Sequence, residues 1–250
     1  MARYDFDKPR LYLDANLESG ADIPASREHV NYLRNVLRLG TGAQVLVFNG
    51  RDGEWLAELV VQGRKSMHLQ VAGQVRPQTA ANNLDFMFAP LKHARLDYMV
   101  QKAVEMGAGR LRPVITRRTQ ATRINLDRMR ANVIEAAEQC GILTLPGVEE
   151  PQIFDALVRD WPEDRPLIHC DEDAPPGDPI EVLRALPGDK SPSRPLAVIV
   201  GPEGGFSPEE REKLAAMKQA VTISLGPRIL RADTAATAAL AIVQAAAGDW

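Results

Sequence analysis

Three glycines and a proline crowd into Gly201-Pro202-Glu203-Gly204-Gly205, directly after the apolar run LAVIV that ends at Val200. A second turn poor in side chains, Gly226-Pro227, follows the run VTISL, whose last residues are Ser224 and Leu225. Glycines at a strand end leave room for a ligand or another backbone where a side chain would block the approach. In open α/β sheets the crevice beyond the strand C-termini is also where ligands bind, so two such turns on neighbouring strands can wrap a small ligand with backbone groups. A structural glycine turn is the competing account. No Lys-Ser/Thr pair follows the glycines and no GxGxxG occurs, so nucleoside triphosphate chemistry is not supported. The histidines show no HExxH or comparable spacing, and Cys140 and Cys170 are too far apart for a CxxC knuckle. No protein-bound metal is expected, and both cysteines read as reduced thiols.

These turns need elements to position them. Ser207 can cap the helix after the first turn, Pro208 suits its first position, and Glu210 completes a capping box. After the second turn, Asp233 or Thr234 is placed to cap an Ala-rich final helix. The runs LDFMFAP (84–90), RLRPVI, PLIHC, LAVIV and VTISL read as strands covered on both faces. A helix carrying Leu96, Val100, Ala103 and Gly107 on one face follows the first run; LDRMRANVIEAAEQC, with Leu126, Met129, Val133 and Ala137 inward, follows the second. The grammar is that of an α/β region with a mainly parallel sheet. Residues 1–75 differ: short β-like runs (AQVLVF, EWLAELVV, SMHLQVAG) alternate with turns, with one helical stretch from Ser26 to Leu37. A small β-rich domain is expected there, joined to the rest by the polar segment 74–83.

At 250 residues, 45% apolar and 25% charged, the chain can bury a full core. It has no apolar run of membrane-span length, and the N-terminal segment MARYDFDKPR lacks the apolar stretch of a secretory signal, so a cytoplasmic protein is the expectation. The net charge of −3 hides a segregation: seven arginines against one acid from Arg110 to Arg130, then fourteen acids against four bases over residues 131–190. Such a basic stripe is either a solvated face or a surface for an anionic polymer.

The two turn segments, IVGPEGGFSPEE and SLGPRILRADTA, occur together with PRLY (9–12), HVNYLRNVLRLGTG (29–42), QKAVEMG (101–107) and EAAEQCG (135–141). In this order they closely resemble the motifs of the SPOUT superfamily of knotted RNA methyltransferases, and within it the ribosomal RNA small subunit methyltransferase E family. The resemblance covers nearly the whole chain. It implies a small PUA-like β-barrel RNA-binding domain over residues 1–75 and an α/β SPOUT methyltransferase domain over 76–250, with a deep trefoil knot in roughly 165–240. It further implies S-adenosylmethionine as methyl donor, a homodimer, no metal or membrane partner, and methylation of N3 of a specific uridine in 16S rRNA, on the small ribosomal subunit. The chain departs from the family pattern at Asp233, where the family usually has Glu, and at Ile142-Leu143, where it usually has a basic residue.

Carried onto this sequence, the resemblance implies cofactor binding by His169, Val200, Gly201, Pro202, Glu203, Gly204, Gly205, Ser224, Leu225, Gly226, Ile229 and Leu230. Methyl transfer from a sulfonium is an in-line displacement, so alignment of donor and acceptor is the protein's main task. Uridine N3 is nucleophilic only as its anion, so the site needs a base, or cations at the uridinate oxygens. Arg231, Glu203 and Arg10 are the candidate catalytic groups. A salt bridge for Arg231 and acceptance of turn amides by Glu203 are the structural alternatives. RNA contacts are expected from Arg10, Arg34, Arg38, Lys92, Arg117, Arg118 and Arg123, with Gln101, Lys102, Glu105, Glu138 and Gln139 in a second tier. Two other functions remain open at this point: a catalytically silent RNA-binding ribosome assembly factor, and a SPOUT enzyme for another RNA.

Overall fold

The computed structural model describes residues 7–63, 66–92, 94–121, 123–174 and 177–250. Residues 1–6, part of the segment read for a secretory signal, lie outside the described residues. The chain divides into two compact units, Met1–Thr79 with Ala137–Leu145, and Ala80–Ala136 with Pro146–Trp250.

The first unit is built on β1 (Arg10–Tyr12), β2 (Asp22–Pro24), β3 (Gln44–Phe48), β4 (Glu54–Val61) and β5 (Met67–Arg76). They form a barrel-like sheet in the order β1-β3-β4-β5-β2. Helix α1 (Arg27–Asn31) is capped by Ser26, whose Oγ accepts from the His29 amide at 3.1 Å, and runs into a π-helical turn over Tyr32–Val36. The expected helical stretch from Ser26 to Leu37 is therefore present in two parts. Leu33, Val45, Val47, Leu59 and Leu69 fill the interior, and full burial of such a side chain contributes roughly 1.5–3 kcal/mol. Residues 137–145 belong to this unit because Ala137 and Leu143 bury against Phe48.

The second unit contains β6 (Leu84–Phe88), α2 (Ala94–Glu105), β7 (Arg110–Ile115), α3 (Leu126–Cys140, its last turn in the first unit), β8 (Gly147–Val148), β9 (Gln152–Ile153) and α4 (Phe154–Arg159). It continues through β10 (Leu167–Cys170), α5 (Pro179–Arg184), β11 (Leu196–Val200), α6 (Pro208–Ala216), β12 (Ala220–Ile223) and α7 (Ala232–Ala247). The strands run β12-β10-β11-β6-β7-β8, with β9 on β7, and every pairing is parallel. The α/β class and the parallel sheet are as expected. β6 and β11 are buried along their whole length, which is why both read as unbroken apolar runs.

Three local expectations change. Gly107 lies beyond α2, not on its face; its φ is 79° and its amide bonds to the Val104 carbonyl at 2.9 Å. It is the left-handed residue that ends the helix. Leu126 is half-buried, while Met129, Val133 and Ala137 are buried as expected. The basic stripe is also divided. Asp85, fully buried in β6, accepts from Arg110 Nε at 2.6 Å and Arg112 Nη1 at 2.9 Å, because a buried carboxylate must be paired. Arg128 pairs with Asp97 and Arg130 with Asp127.

Candidate active site

Parallel strands β12, β10 and β11 end on the same side of the sheet, and the loops leaving them enclose a cleft of about 650 Å³, counting its open mouth. The first turn is closed by the Gly205 amide donating to the Pro202 carbonyl at 2.8 Å. A Cβ at Gly201 would come within 3.0 Å of the Phe206 ring, and Gly205, at φ 66°, would meet Glu172 Oε1 at 3.0 Å. Glycine is thus demanded there by close packing. Ser207 and Glu210 then form the expected capping box, with Pro208 opening α6. On the second turn Gly226 has φ 101°, and an added Cβ would have nothing within 4 Å. Backbone conformation and open space, rather than a crowded neighbour, account for this glycine.

The third wall was not foreseen. Cys170, Asp171 and Glu172, leaving β10, line the cleft together with Phe206, Arg211, Arg228, Ala232 and Ala235. Arg211 Nη2 lies 3.2 Å from Glu172 Oε1 and 3.5 Å from Asp171 Oδ1, and the same guanidinium pairs with Asp173. The available signal was an acidic run directly after an apolar strand. Its relevance depended on β10 lying between β11 and β12, so the two strands that carry the glycine turns are not neighbours as expected; no local pattern encodes that order. Burial pushes the Cys170 thiol up to about 12, so it supplies no thiolate nucleophile near neutral pH. Among the described residues, no group of three or more His, Cys, Asp or Glu could hold a metal ion, and no helix is long and apolar enough to cross a membrane.

Val200, Gly201, Pro202, Glu203, Gly205, Leu225, Gly226 and Leu230 line the cleft. Gly204, Ser224, His169 and Ile229 do not. The Gly204 carbonyl faces outward to Arg118 Nη1 at 2.5 Å, and Ser224 Oγ accepts from the Gly226 amide at 3.3 Å. Ile229 is 89% exposed. His169 sits in β10, only 2% exposed, with its ring edge-on to Phe206 at 5.0 Å and no hydrogen-bond partner for Nε2 among the described residues.

Burial lowers His169 from 6.5 to about 4; the nearby Asp171 carboxylate raises it by a smaller amount and Arg211 lowers it slightly. The folded chain therefore keeps this ring neutral at pH values where the unfolded chain protonates it. Stability is full above about pH 6.5 and falls toward pH 4, by roughly 3 kcal/mol from this residue. Thermal midpoints measured across that range should drop on acidification, and less steeply for His169→Phe. Equal slopes would assign the acid sensitivity elsewhere.

Glu203 is exposed at the cleft and has no hydrogen bond or ion pair among the described residues, so acceptance of turn amides is not its role here. Arg231 is the N-cap residue of α7, exposed and likewise without a side-chain partner among the described residues. This corrects the expectation that Asp233 or Thr234 caps α7. Asp233 lies in the first turn, where its carboxylate accepts from the Thr234 amide at 3.0 Å and favours the positive helix end.

Residues 78–244 match the family model for an RNA methyltransferase domain, and residues 26–72 that for an RNA methyltransferase PUA domain. The chain is 34% identical to the ribosomal RNA small subunit methyltransferase E of Rickettsia conorii over 94% of each protein. The chain belongs to the ribosomal RNA small subunit methyltransferase E family. Its fold matches the crystal structure of the Neisseria gonorrhoeae family member bound to S-adenosylmethionine, with a TM-score of 0.79 and 27% identity over 95% of this chain and 97% of that one. A Legionella pneumophila protein solved with bound S-adenosylmethionine gives 0.78 at 30% identity, covering 96% and 98%.

In this family member the residues expected to face RNA have different surroundings. Arg117, Arg118 and Arg123 are exposed, with Arg117 4.0 Å from Glu209, and Lys92 is exposed. In the PUA unit Arg38 is exposed with a left-handed φ of 57°, and Arg34 donates to the Gly63 carbonyl at 2.7 Å. Arg10 is enclosed. Its side chain is 6% exposed, pairs with Glu54 at 2.6 Å, and donates to the carbonyls of Ala137, Glu138 and Ile142 at 2.5, 2.8 and 3.2 Å. Of the second tier, Lys102 pairs with Glu105 at 2.7 Å, Gln101 donates to Glu135 at 3.3 Å, and Glu138 accepts from the Tyr12 amide at 2.8 Å.

Proposed function

We propose that this chain methylates N3 of a specific uridine in 16S rRNA, acting on the assembled small ribosomal subunit as a cytoplasmic homodimer. The coarser activity, S-adenosylmethionine-dependent methylation of small-subunit rRNA, is that of its family. The observation that carries the reading is the cleft at the ends of β10, β11 and β12, walled by two glycine turns in a chain whose nearly full-length structural relatives hold S-adenosylmethionine. The group fits these residues: the wall at Gly226 is open, Gly201 and Gly205 keep the opposite turn low, and Leu225 and Leu230 offer apolar surface. Strand order β12-β10-β11, with the family resemblance, also supports a trefoil knot across roughly 165–240.

S-adenosylmethionine supplies the methyl group. The protein must bring uridine N3 into line and stabilise its anion. Among the cleft's carboxylates, Asp171 and Glu172 are held by Arg211; Glu203, with no partner among the described residues, is the one available to take the N3 proton. Arg231, also unpartnered and next to the cleft residues Leu230 and Ala232, stabilises the uridinate oxygens. Arg231→Ala should lower turnover at least about tenfold while donor affinity changes little. Equal losses in both would contradict that role.

The reaction is tested by methyl transfer from labelled S-adenosylmethionine to small subunits lacking the modification, with naked 16S rRNA and tRNA alongside, followed by nucleoside analysis. The expected product is 3-methyluridine on the small subunit. Transfer to tRNA alone, or a different methylated nucleoside, would overturn the reading.

A further inference from the structure

A second hollow lies next to the donor cleft. β6 and β11 are paired with Phe88 opposite Val200, and the Ala89 amide donates to the Val200 carbonyl at 3.1 Å. The chain leaving β6 therefore emerges beside the turn that begins at Gly201. The loop leaving β7 is fastened to the same region, through Arg118 on the Gly204 carbonyl at 2.5 Å and the Arg117 amide on Glu210 Oε1 at 2.8 Å. Described residues of these two loops, with Leu96 and Asp97 of α2 and Arg128 and Met129 of α3, enclose a hollow of about 1150 Å³, counting its open mouth.

Its lining is chemically mixed. Leu96 and Met129, 9% and 1% exposed, provide an apolar floor. Lys92, Gln120, Arg123 and Asn125 supply the polar groups. Lys92, Gln120 and Arg123 are exposed, and their side chains have no hydrogen bond or ion pair among the described residues. Asn125 Oδ1 accepts from the Arg128 amide at 3.0 Å, which leaves its NH₂ available. Arg128 also borders the hollow, but its guanidinium is committed to Asp97.

We propose that this hollow receives the acceptor nucleotide after it leaves its stack in the RNA. The inference rests on the methyltransferase reading and adds where the base is held. A base edge inside a duplex is inaccessible to an enzyme, so the nucleotide must be extruded into a pocket that stacks its face and reads its edge. The edge of uracil presents two carbonyl acceptors on either side of an N–H donor. The NH₂ groups of Gln120 and Asn125 can each donate to a uracil carbonyl, whose second lone pair remains for Arg231, so that N3 stays clear for Glu203 and the methyl donor. The apolar floor takes the face of the ring, and Lys92 and Arg123 neutralise the flanking phosphates. The loop carrying Gln120 is the one tied to the donor turn at Gly204, which couples the position of the acceptor to that of the donor.

The test uses the full chain, small subunits lacking the modification, and labelled S-adenosylmethionine. For Gln120→Ala, kcat/KM should fall by about tenfold or more, while the Kd for S-adenosylmethionine and total RNA affinity by filter binding each stay within about twofold of wild type and the thermal midpoint is unchanged. Gln120→Trp, which fills the mouth, should lower transfer further with the same unchanged donor Kd. Wild-type turnover in both variants would overturn the proposal. So would a loss confined to RNA affinity with kcat intact, the pattern expected of backbone phosphate contacts alone. Wild-type protein that fails to bind S-adenosylmethionine would instead overturn the methyltransferase reading beneath it.

Discussion

Gly226→Val is expected to weaken S-adenosylmethionine binding by about tenfold or more, since a non-glycine held at positive φ costs about 1–3 kcal/mol and each 1.4 kcal/mol is tenfold in affinity. Gly226 has φ 101° and lines the cleft, and an added Cβ would meet nothing within 4 Å. The core beneath is untouched, so the protein stays folded; the new side chain either fills the ligand's space or forces the turn to move. Calorimetric titration of wild type, Gly226→Ala and Gly226→Val separates these effects. Alanine carries the backbone strain with little added volume, whereas valine adds occlusion. Wild-type affinity in the valine variant would show that the donor binds somewhere else.

Arg10→Ala is expected to destabilise the protein by about 3–5 kcal/mol, the usual cost of removing one partner from a buried ion pair. Glu54, whose side chain is 4% exposed, would keep only Arg76, at 2.6 Å. The carbonyls of Ala137, Glu138 and Ile142 would lose their guanidinium donor, and Phe48 the cation 4.6 Å from its ring centroid. Arg10→Lys should recover only part of the loss, because one ammonium cannot replace a guanidinium that serves a carboxylate and three carbonyls together. The measurement is chemical denaturation, paired with the single-turnover methyl-transfer rate of the folded fraction. If stability fell and that rate held, the role of Arg10 would be structural. Unchanged stability with lost turnover would return it to the reacting base.

The elements that sequence specified by itself are those whose bonds close within a few residues. Ser207, Pro208 and Glu210 announced the start of α6 because a capping box is satisfied within one turn. The glycine turns after Val200 and Leu225 were visible for the same reason, since only glycine combines positive φ with a low wall. The buried strands were legible as apolar runs, and the ordered motifs carried the family. At the start of α7 and at Gly107, position relative to the helix's terminal hydrogen-bonded turn decided, and an error of two or three residues was enough to misplace them.

The tertiary structure decided which distant residues meet. Asp171 and Glu172 became a wall of the cleft only because β10 pairs with both β11 and β12. Arg110 and Arg112 left the basic stripe because register sets them on Asp85, while Arg10 closed over the end of α3 across more than a hundred residues of chain. The hollow holding Gln120 and Asn125 comes from two loops brought together by the pairing of β6 with β7. Strand order and register are set by how a whole sheet buries its faces, a collective quantity that no short stretch of residues carries. The chemistry of single turns could therefore be read along the chain, and the company they keep could not.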